Sequence, residues 1–292
     1  MRHLLACSML FLSLLAPITA RGQSARISAP TESGLVTLSD SHIEYFSQGQ
    51  GEPIVLIPGA NLTAGYLEGL AQAFATSGYR VVRINFRGAG KSEGPEDGVT
   101  LHTLAADVAG VLEALQLGPS NIVGHAFGNR VARQLVADRP DLVHAVVLLA
   151  AGGKIDPQPA AAGALRTFFN PVSTDADSLD AIKFMVGDPA DAEMVWRVIK
   201  PCLAPRAWAI EYKAAVATPL KDWWAPPGMT KYLVVQGTKD EIAPAKNGEL
   251  LKQELGERVT LVSINGAGHL SLVTEPQKVA VPVISFLQTL QK

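Results

Sequence analysis

From residue 34 onward, short apolar runs alternate with stretches in which apolar residues recur every three or four positions. That alternation predicts an α/β fold: a mostly parallel central sheet with helices packed on both faces. Ile54-Val55-Leu56-Ile57, Val81-Val82-Arg83-Ile84, Asn121-Ile122-Val123, Ala145 to Leu149 and Tyr232 to Val235 are too apolar to face water on one side, and are predicted as central strands. Leu35 to Leu38 and Ile43 to Phe46, joined through Ser39-Asp40, predict an opening hairpin, and Val259 to Ile264 the last strand. Between the strands, Leu101, Leu104, Ala105, Val108, Leu112 and Leu115 form one helical stripe. Ala64 to Thr76, Phe127 to Asp138, Ala245 to Leu255 and Gln277 to Leu290 complete the covering helices.

Residues 153–225 interrupt this rhythm. Pro157, Pro159, Pro171, Pro189, Pro201 and Pro205 punctuate them, with helical stretches near 177–186, 190–199 and 206–217. The expected organisation is a core of 34–152 and 226–292 with a helical cap of 153–225 inserted after the Ala145 to Leu149 strand. An insertion over the carboxyl edge of an open α/β sheet stands where such sheets bind ligands, so it is expected to form a lid or pocket wall.

The first twenty residues read differently. A basic start (Arg2, His3), an apolar run from Leu4 to Ala16, the helix breaker Pro17 and the small Ala20 are the layout of a secretory signal. The expectation is removal of 1–20, a linker over 21–33, and a periplasmic or extracellular protein. The run is shorter than a membrane span requires, so no stable span is expected. Cys7 falls within this segment and Cys202 is the only other cysteine, which leaves no internal disulfide to form.

Composition narrows the partners. With 48% hydrophobic and 18% charged residues, the chain has the make-up of a globular domain that buries a large core. Lys plus Arg number 25 against 27 Asp plus Glu, with no run of like charge to track a phosphate backbone, so nucleic acid is an unexpected partner. There is no paired-His metal motif, Walker loop or dinucleotide fingerprint, so neither metal nor cofactor is expected. A small-molecule substrate is, while the oligomeric state leaves no mark in the sequence.

The chemistry concentrates in Ile122-Val123-Gly124-His125-Ala126-Phe127-Gly128-Asn129-Arg130, a strand running through a Gly-x-x-x-Gly turn into a helix. In such a turn the middle residue points into a pocket, the setting of a nucleophile elbow. Here that residue is Ala126, whose methyl group attacks nothing.

Taken with its surroundings, this stretch resembles the α/β-hydrolase-fold proteins over about residues 34–291. Ile57-Pro58-Gly59-Ala60-Asn61 is similar to the family's oxyanion loop, with Pro58 where a His is common, and Asn85 to Ser92 to its Arg-Gly-x-Gly-x-Ser loop. Gly237-Thr238-Lys239-Asp240 resembles the segment that presents the acid, and Gly266-Ala267-Gly268-His269 the one that presents the histidine. The resemblance implies an Asp240–His269 dyad, with an oxyanion hole from the backbone N–H groups of Phe127 and Ala60. Asn61, His125, Trp223 and Trp224 are the expected substrate contacts. Arg87, Gly88 and Gly90 are expected to shape a loop, His42 and His144 to be structural, and Ser92 and Ser271 to stand outside the elbow.

Three readings remain open at this point. The chain is an enzyme that acts on a small hydrophobic ester, lactone or ketone through the dyad without an acyl-enzyme. Alternatively it is a non-catalytic ligand binder, or a serine hydrolase whose elbow serine has been replaced by Ala126.

Overall fold

The computed structural model describes residues 31–291; the signal-like segment and most of the linker lie outside them. Eight strands form one sheet: β1 (Glu32–Thr37), β2 (His42–Gln48), β3 (Pro53–Ile57), β4 (Arg80–Ile84), β5 (Ser120–His125), β6 (Val143–Leu149), β7 (Lys231–Gly237) and β8 (Val259–Ile264). Their order is β1-β2-β4-β3-β5-β6-β7-β8, with β2 antiparallel to both its neighbours and β3 to β8 all parallel.

The alternation seen in sequence is the alternation of the pleat. Ile54, Leu56, Val147, Leu149, Leu233 and Val235 feed one buried layer, and Val55, Ile57, Val146, Leu148, Tyr232 and Val234 the other. Helix α1 (Glu68–Thr76), entered through a 3₁₀ turn over Ala64–Leu67, closes one face. On the opposite face lie α2 (Leu101–Ala114), fixed at its start by a Thr100–Thr103 capping box, and α3 (Gly128–Asp138).

The cap comprises α4 (Pro159–Phe169), α5 (Asp175–Ile182), α6 (Ala192–Ile199), α7 (Pro205–Ala217) and the single turn α8 (Leu220–Trp223). Helix α9 (Lys246–Leu255) then joins α2 and α3, and after the turn α10 (Ser271–Thr274), α11 (Pro276–Leu290) joins α1. Helix α4 falls in a stretch whose prolines read as breakers. Pro159 is its first residue, where a missing N–H costs nothing and a fixed φ favours the helix, so the proline starts it.

The chain passes from β3 outward to β4 and then returns across β3 to β5. This reversal opens a crevice at the carboxyl ends of β3 and β5, the general place for a ligand in an open α/β sheet.

Candidate active site

Ala126 sits at that crevice, in the turn from β5 into α3, with φ of +47° in the left-handed region that side chains enter only at a cost. Its N–H donates to the Leu149 carbonyl (3.1 Å) and its own carbonyl accepts the Asn129 N–H (3.1 Å), so both ends of the turn are pinned. The flanking glycines are dictated by contact. A Cβ on Gly124 would stand 2.5 Å from the Gly128 carbonyl oxygen, and one on Gly128 would stand 2.5 Å from that of Ile57. Any side chain there would push α3 off the sheet and move the turn.

The dyad residues come from the ends of β7 and β8. His269 Nδ1 lies 3.0 and 3.1 Å from the two carboxylate oxygens of Asp240, and both residues are buried. Asp240 has no spare capacity: Oδ1 also accepts the N–H groups of Ile242 (3.0 Å) and Ala243 (2.8 Å), and Oδ2 accepts Gln236 Nε2 (3.1 Å). A carboxylate anchored this way holds the ring with Nδ1 as the donor. His269 borders the cavity, and its Nε2 makes no hydrogen bond to another described residue.

Ala60 and Phe127 also border the cavity, and neither N–H donates to another described residue. The N–H groups on either side of Ala60 are both committed, Gly59 to Tyr66 Oη (2.7 Å) and Asn61 to Glu211 Oε2 (2.8 Å). Two free donors beside Ala126, one at a helix start, are what an oxyanion site requires.

His125 borders the cavity, but both of its ring nitrogens are engaged within the protein. Burial, with His269 adjacent, pushes its pKa down to about 3, so it is neutral. Its Nε2 is 3.1 Å from the His269 carbonyl oxygen and therefore carries the proton, which leaves Nδ1 to accept the Tyr66 hydroxyl at 2.7 Å. The relay from Gly59 through Tyr66 and His125 to His269 ties the oxyanion loop to the histidine loop.

These groups open on a cavity of about 380 Å³, walled on the cap side by Phe168, Phe169, Met185, Ile199, Trp208 and Glu211. Phe169 and Trp208 stack at 3.9 Å between ring centroids. Among the described residues, no cluster of three or more His, Cys, Asp or Glu is arranged to hold a metal ion. No helix among them is long and apolar enough to cross a membrane.

Two family models match in succession, one described as alpha/beta hydrolase fold over residues 52–180 and one as TAP-like protein over 194–292. The chain belongs to the α/β-hydrolase superfamily. Among its relatives, a Streptomyces lividans non-heme chloroperoxidase is 26% identical over 287 residues, covering 88% of this chain and all of the relative. A Mycobacterium tuberculosis protein provisionally named a non-heme bromoperoxidase is 34% identical over 131 residues, which is 44% of this chain and only 47% of that relative. Among solved structures, Est816, described as an N-acyl homoserine lactone degrading enzyme, superposes with a TM-score of 0.70 at 25% identity, over 87% of this chain and 100% of that one. A bromoperoxidase from Bacillus anthracis gives 0.73 at 22% identity over 89% and 100%, a likeness of fold.

In this member of the superfamily, three expected substrate contacts are placed elsewhere. Trp223 and Trp224 are buried and do not border the cavity. They flank the guanidinium of Arg133, at 4.6 and 4.9 Å from their ring centroids, and Trp224 Nε1 donates to Glu254 (2.9 Å). Arg133 is fully buried, its hydrogen bonds go to main-chain carbonyls, and burial lowers its pKa to about 9. The two indole faces supply the negative potential that a carboxylate otherwise would. Asn61 is also buried and outside the cavity wall; its left-handed φ of +64° aims its N–H at Glu211 and its carbonyl at the Ala204 N–H (2.8 Å).

Arg87 bonds Asp107 through two nitrogens at 2.7 Å and shapes its loop, and Ser92 Oγ is spent on the Asn85 carbonyl and the Glu44 N–H. His102 bonds Asp138 (2.9 Å) at the surface, away from the cavity. The sequence reading missed Tyr66, Phe168, Phe169, Trp208 and Glu211.

Proposed function

We propose that the protein is an enzyme of the α/β-hydrolase superfamily that acts on a small hydrophobic ester, lactone or ketone by general base catalysis, without a covalent intermediate. The observation that carries this reading is a buried, hydrogen-bonded Asp240–His269 pair facing a cavity beside Ala126 and two uncommitted N–H donors. A pure binder gains nothing from a carboxylate held by three other donors to orient one imidazole.

In this mechanism the substrate carbonyl lies at the Ala60 and Phe127 N–H groups. His269 Nε2 takes a proton from water, or from the carbon next to the carbonyl, while Nδ1–H stays with Asp240. Negative charge develops on the carbonyl oxygen, where fixed donors are typically worth about 3 to 4 kcal/mol each. The proton on Nε2 then passes to the leaving group or back to carbon. The apolar wall formed by Phe168, Phe169 and Met185 supports a hydrophobic substrate. The names borne by the relatives, peroxidase among them and lactone-degrading enzyme among the structures, show that fold alone does not choose among these chemistries.

Turnover of a panel of p-nitrophenyl esters, lactones and enolisable ketones, in parallel with fluorophosphonate labelling, tests the proposal. Turnover on at least one class with no labelling is the expected result. Covalent labelling at the site, or turnover that survives His269→Ala, would sink it. Action outside the cytoplasm belongs to the same proposal, resting on the signal-like residues 1–20; intact mass of protein recovered from the cell envelope or medium checks it, and a species that keeps Met1 counts against it.

A further inference from the structure

We infer that Glu211, on cap helix α7, selects the substrate by donating a hydrogen bond to a second oxygen of a ketone or ester whose carbonyl lies at the Ala60 and Phe127 N–H groups. This builds on the reading of those two donors as the oxyanion site.

Glu211 is fully buried and borders the cavity. One carboxyl oxygen, Oε2, accepts the Asn61 N–H at 2.8 Å, while Oε1 is buried with no hydrogen-bond partner. No cation bonds either oxygen among the described residues. Burial, opposed only by the Asn61 N–H, raises the pKa to about 8, so at neutral pH the group is mainly a carboxylic acid. Because Oε2 already accepts, the proton belongs on Oε1. The result is an O–H donor at the cavity edge without an acceptor, a vacancy that folded proteins rarely leave.

Docking the cap does not explain this carboxyl. The Thr63 N–H to Cys202 carbonyl bond and the Ala204 N–H to Asn61 carbonyl bond, both 2.8 Å, already fasten the loop to the cap. Position instead gives the carboxyl a use. The Asn61 N–H that holds it is the next in the chain after the Ala60 N–H, so the acid stands one peptide away from the oxyanion site. Two donors that close address two oxygens of one small molecule. Against the largely apolar cap wall, a hydrogen bond that the ligand must complete is also the strongest means of discrimination.

The test is binding of valerophenone and of its two isosteres in which the β- or the γ-methylene is an ether oxygen, followed by Trp208 fluorescence quenching or calorimetry. An apolar wall alone disfavours the ether. Wild-type protein is expected to bind one ether isomer about tenfold more tightly than valerophenone. Glu211→Gln, which keeps an acceptor for Asn61 and offers an N–H in place of the O–H, should retain that preference within about threefold. Glu211→Met should reverse it while leaving valerophenone affinity within about threefold. His269→Ala, in which turnover is lost, should keep the ether preference, so failure of the catalytic reading and failure of this one are separable. No binding of any of the three ketones, equal affinities in the wild type, or a preference that survives Glu211→Met overturns the inference.

Discussion

The two walls of the cavity are built on opposite principles. On the core side the polar groups around the dyad are committed: Asp240 accepts four partners, both His125 nitrogens are engaged, and the turn at Ala126 is pinned at both ends. Among the described residues, His269 Nε2 and two main-chain N–H groups are left over beside Ala126, and the Arg130 guanidinium, held over the Trp223 ring, borders the same cavity without a hydrogen bond. On the cap side stand mostly apolar and aromatic side chains, with Asp156 and with Glu211, an acid that keeps one buried, unpaired oxygen. A constellation with little slack fixes atoms for chemistry, whereas an unpaired buried acid leaves a valence for the ligand to fill. Substitutions on the two sides should therefore fail differently, those in the core through the rate and those in the cap through the choice of ligand.

The largest effect should come from the core. On the proposed mechanism His269→Ala removes the general base and is expected to lower turnover by about 10³-fold or more, with ligand affinity little changed. Steady-state kinetics and a binding isotherm on the same preparation give both numbers; a tenfold loss shared equally between them would erase the distinction between the walls. Asp240→Asn keeps the shape but presents an amide that can donate to Nδ1, favouring the wrong tautomer. Turnover should fall about 10²-fold or more, and by less than in His269→Ala. Equal loss in both variants would mean that Asp240 supports the loop rather than the ring.

A smaller effect is expected at Ala126. Ala126→Ser adds one oxygen where the strained turn, dyad and oxyanion donors are already in place, so fluorophosphonate labelling should appear. The native reaction should slow by less than about tenfold, from crowding where water or substrate sits. A gain of many orders of magnitude in ester hydrolysis would instead identify a serine hydrolase from which the nucleophile has been lost.

Why one wall was legible in the sequence and the other was not follows from the same contrast. Each central strand carries its two-sided burial in its own residues, so Ile54 to Ile57 or Tyr232 to Val235 declare themselves without a partner. The turn at Ala126, Asp240 and His269 lie just after such strands, and strand order places them at one edge. Tyr66 and His125 are 59 residues apart, and nothing local marks their bond. Glu211 did leave a trace. Ala207, Ile210, Glu211 and Ala214 are the buried face of α7, so a charged residue occupies an apolar helical stripe, where it must be neutralised or used. Trp223 and Trp224 misled in the other direction: aromatic composition suggests a ligand, but the cation they cover, Arg133, is one of the chain's own.

The smallest expected effect is on stability, and there the two walls titrate against each other. Glu211 ordinarily has a pKa of 4.5 and is held at about 8, so between those values the folded protein keeps a proton that the unfolded chain has released. Its contribution is complete below 4.5 and is lost as pH rises through 8. His125 ordinarily titrates at 6.5 and is held down to about 3, so its contribution is complete above 6.5 and is lost as pH falls towards 3. Between 4.5 and 6.5 the two slopes cancel, which predicts a plateau with a decline on either side. The alkaline decline belongs to the cap: one proton over the 1.5 pH units from 6.5 to 8 is worth about 2 kcal/mol. Urea unfolding at intervals up to pH 8, where Arg133 is still mainly charged, measures it. Glu211→Gln carries no titrating proton, so it should remove the alkaline slope and, with nothing left to cancel His125, extend the acid slope across the former plateau up to 6.5. If both slopes survive in that variant, the acid in the cap is not the group that titrates, and the contrast between a closed wall and an open one loses its thermodynamic support.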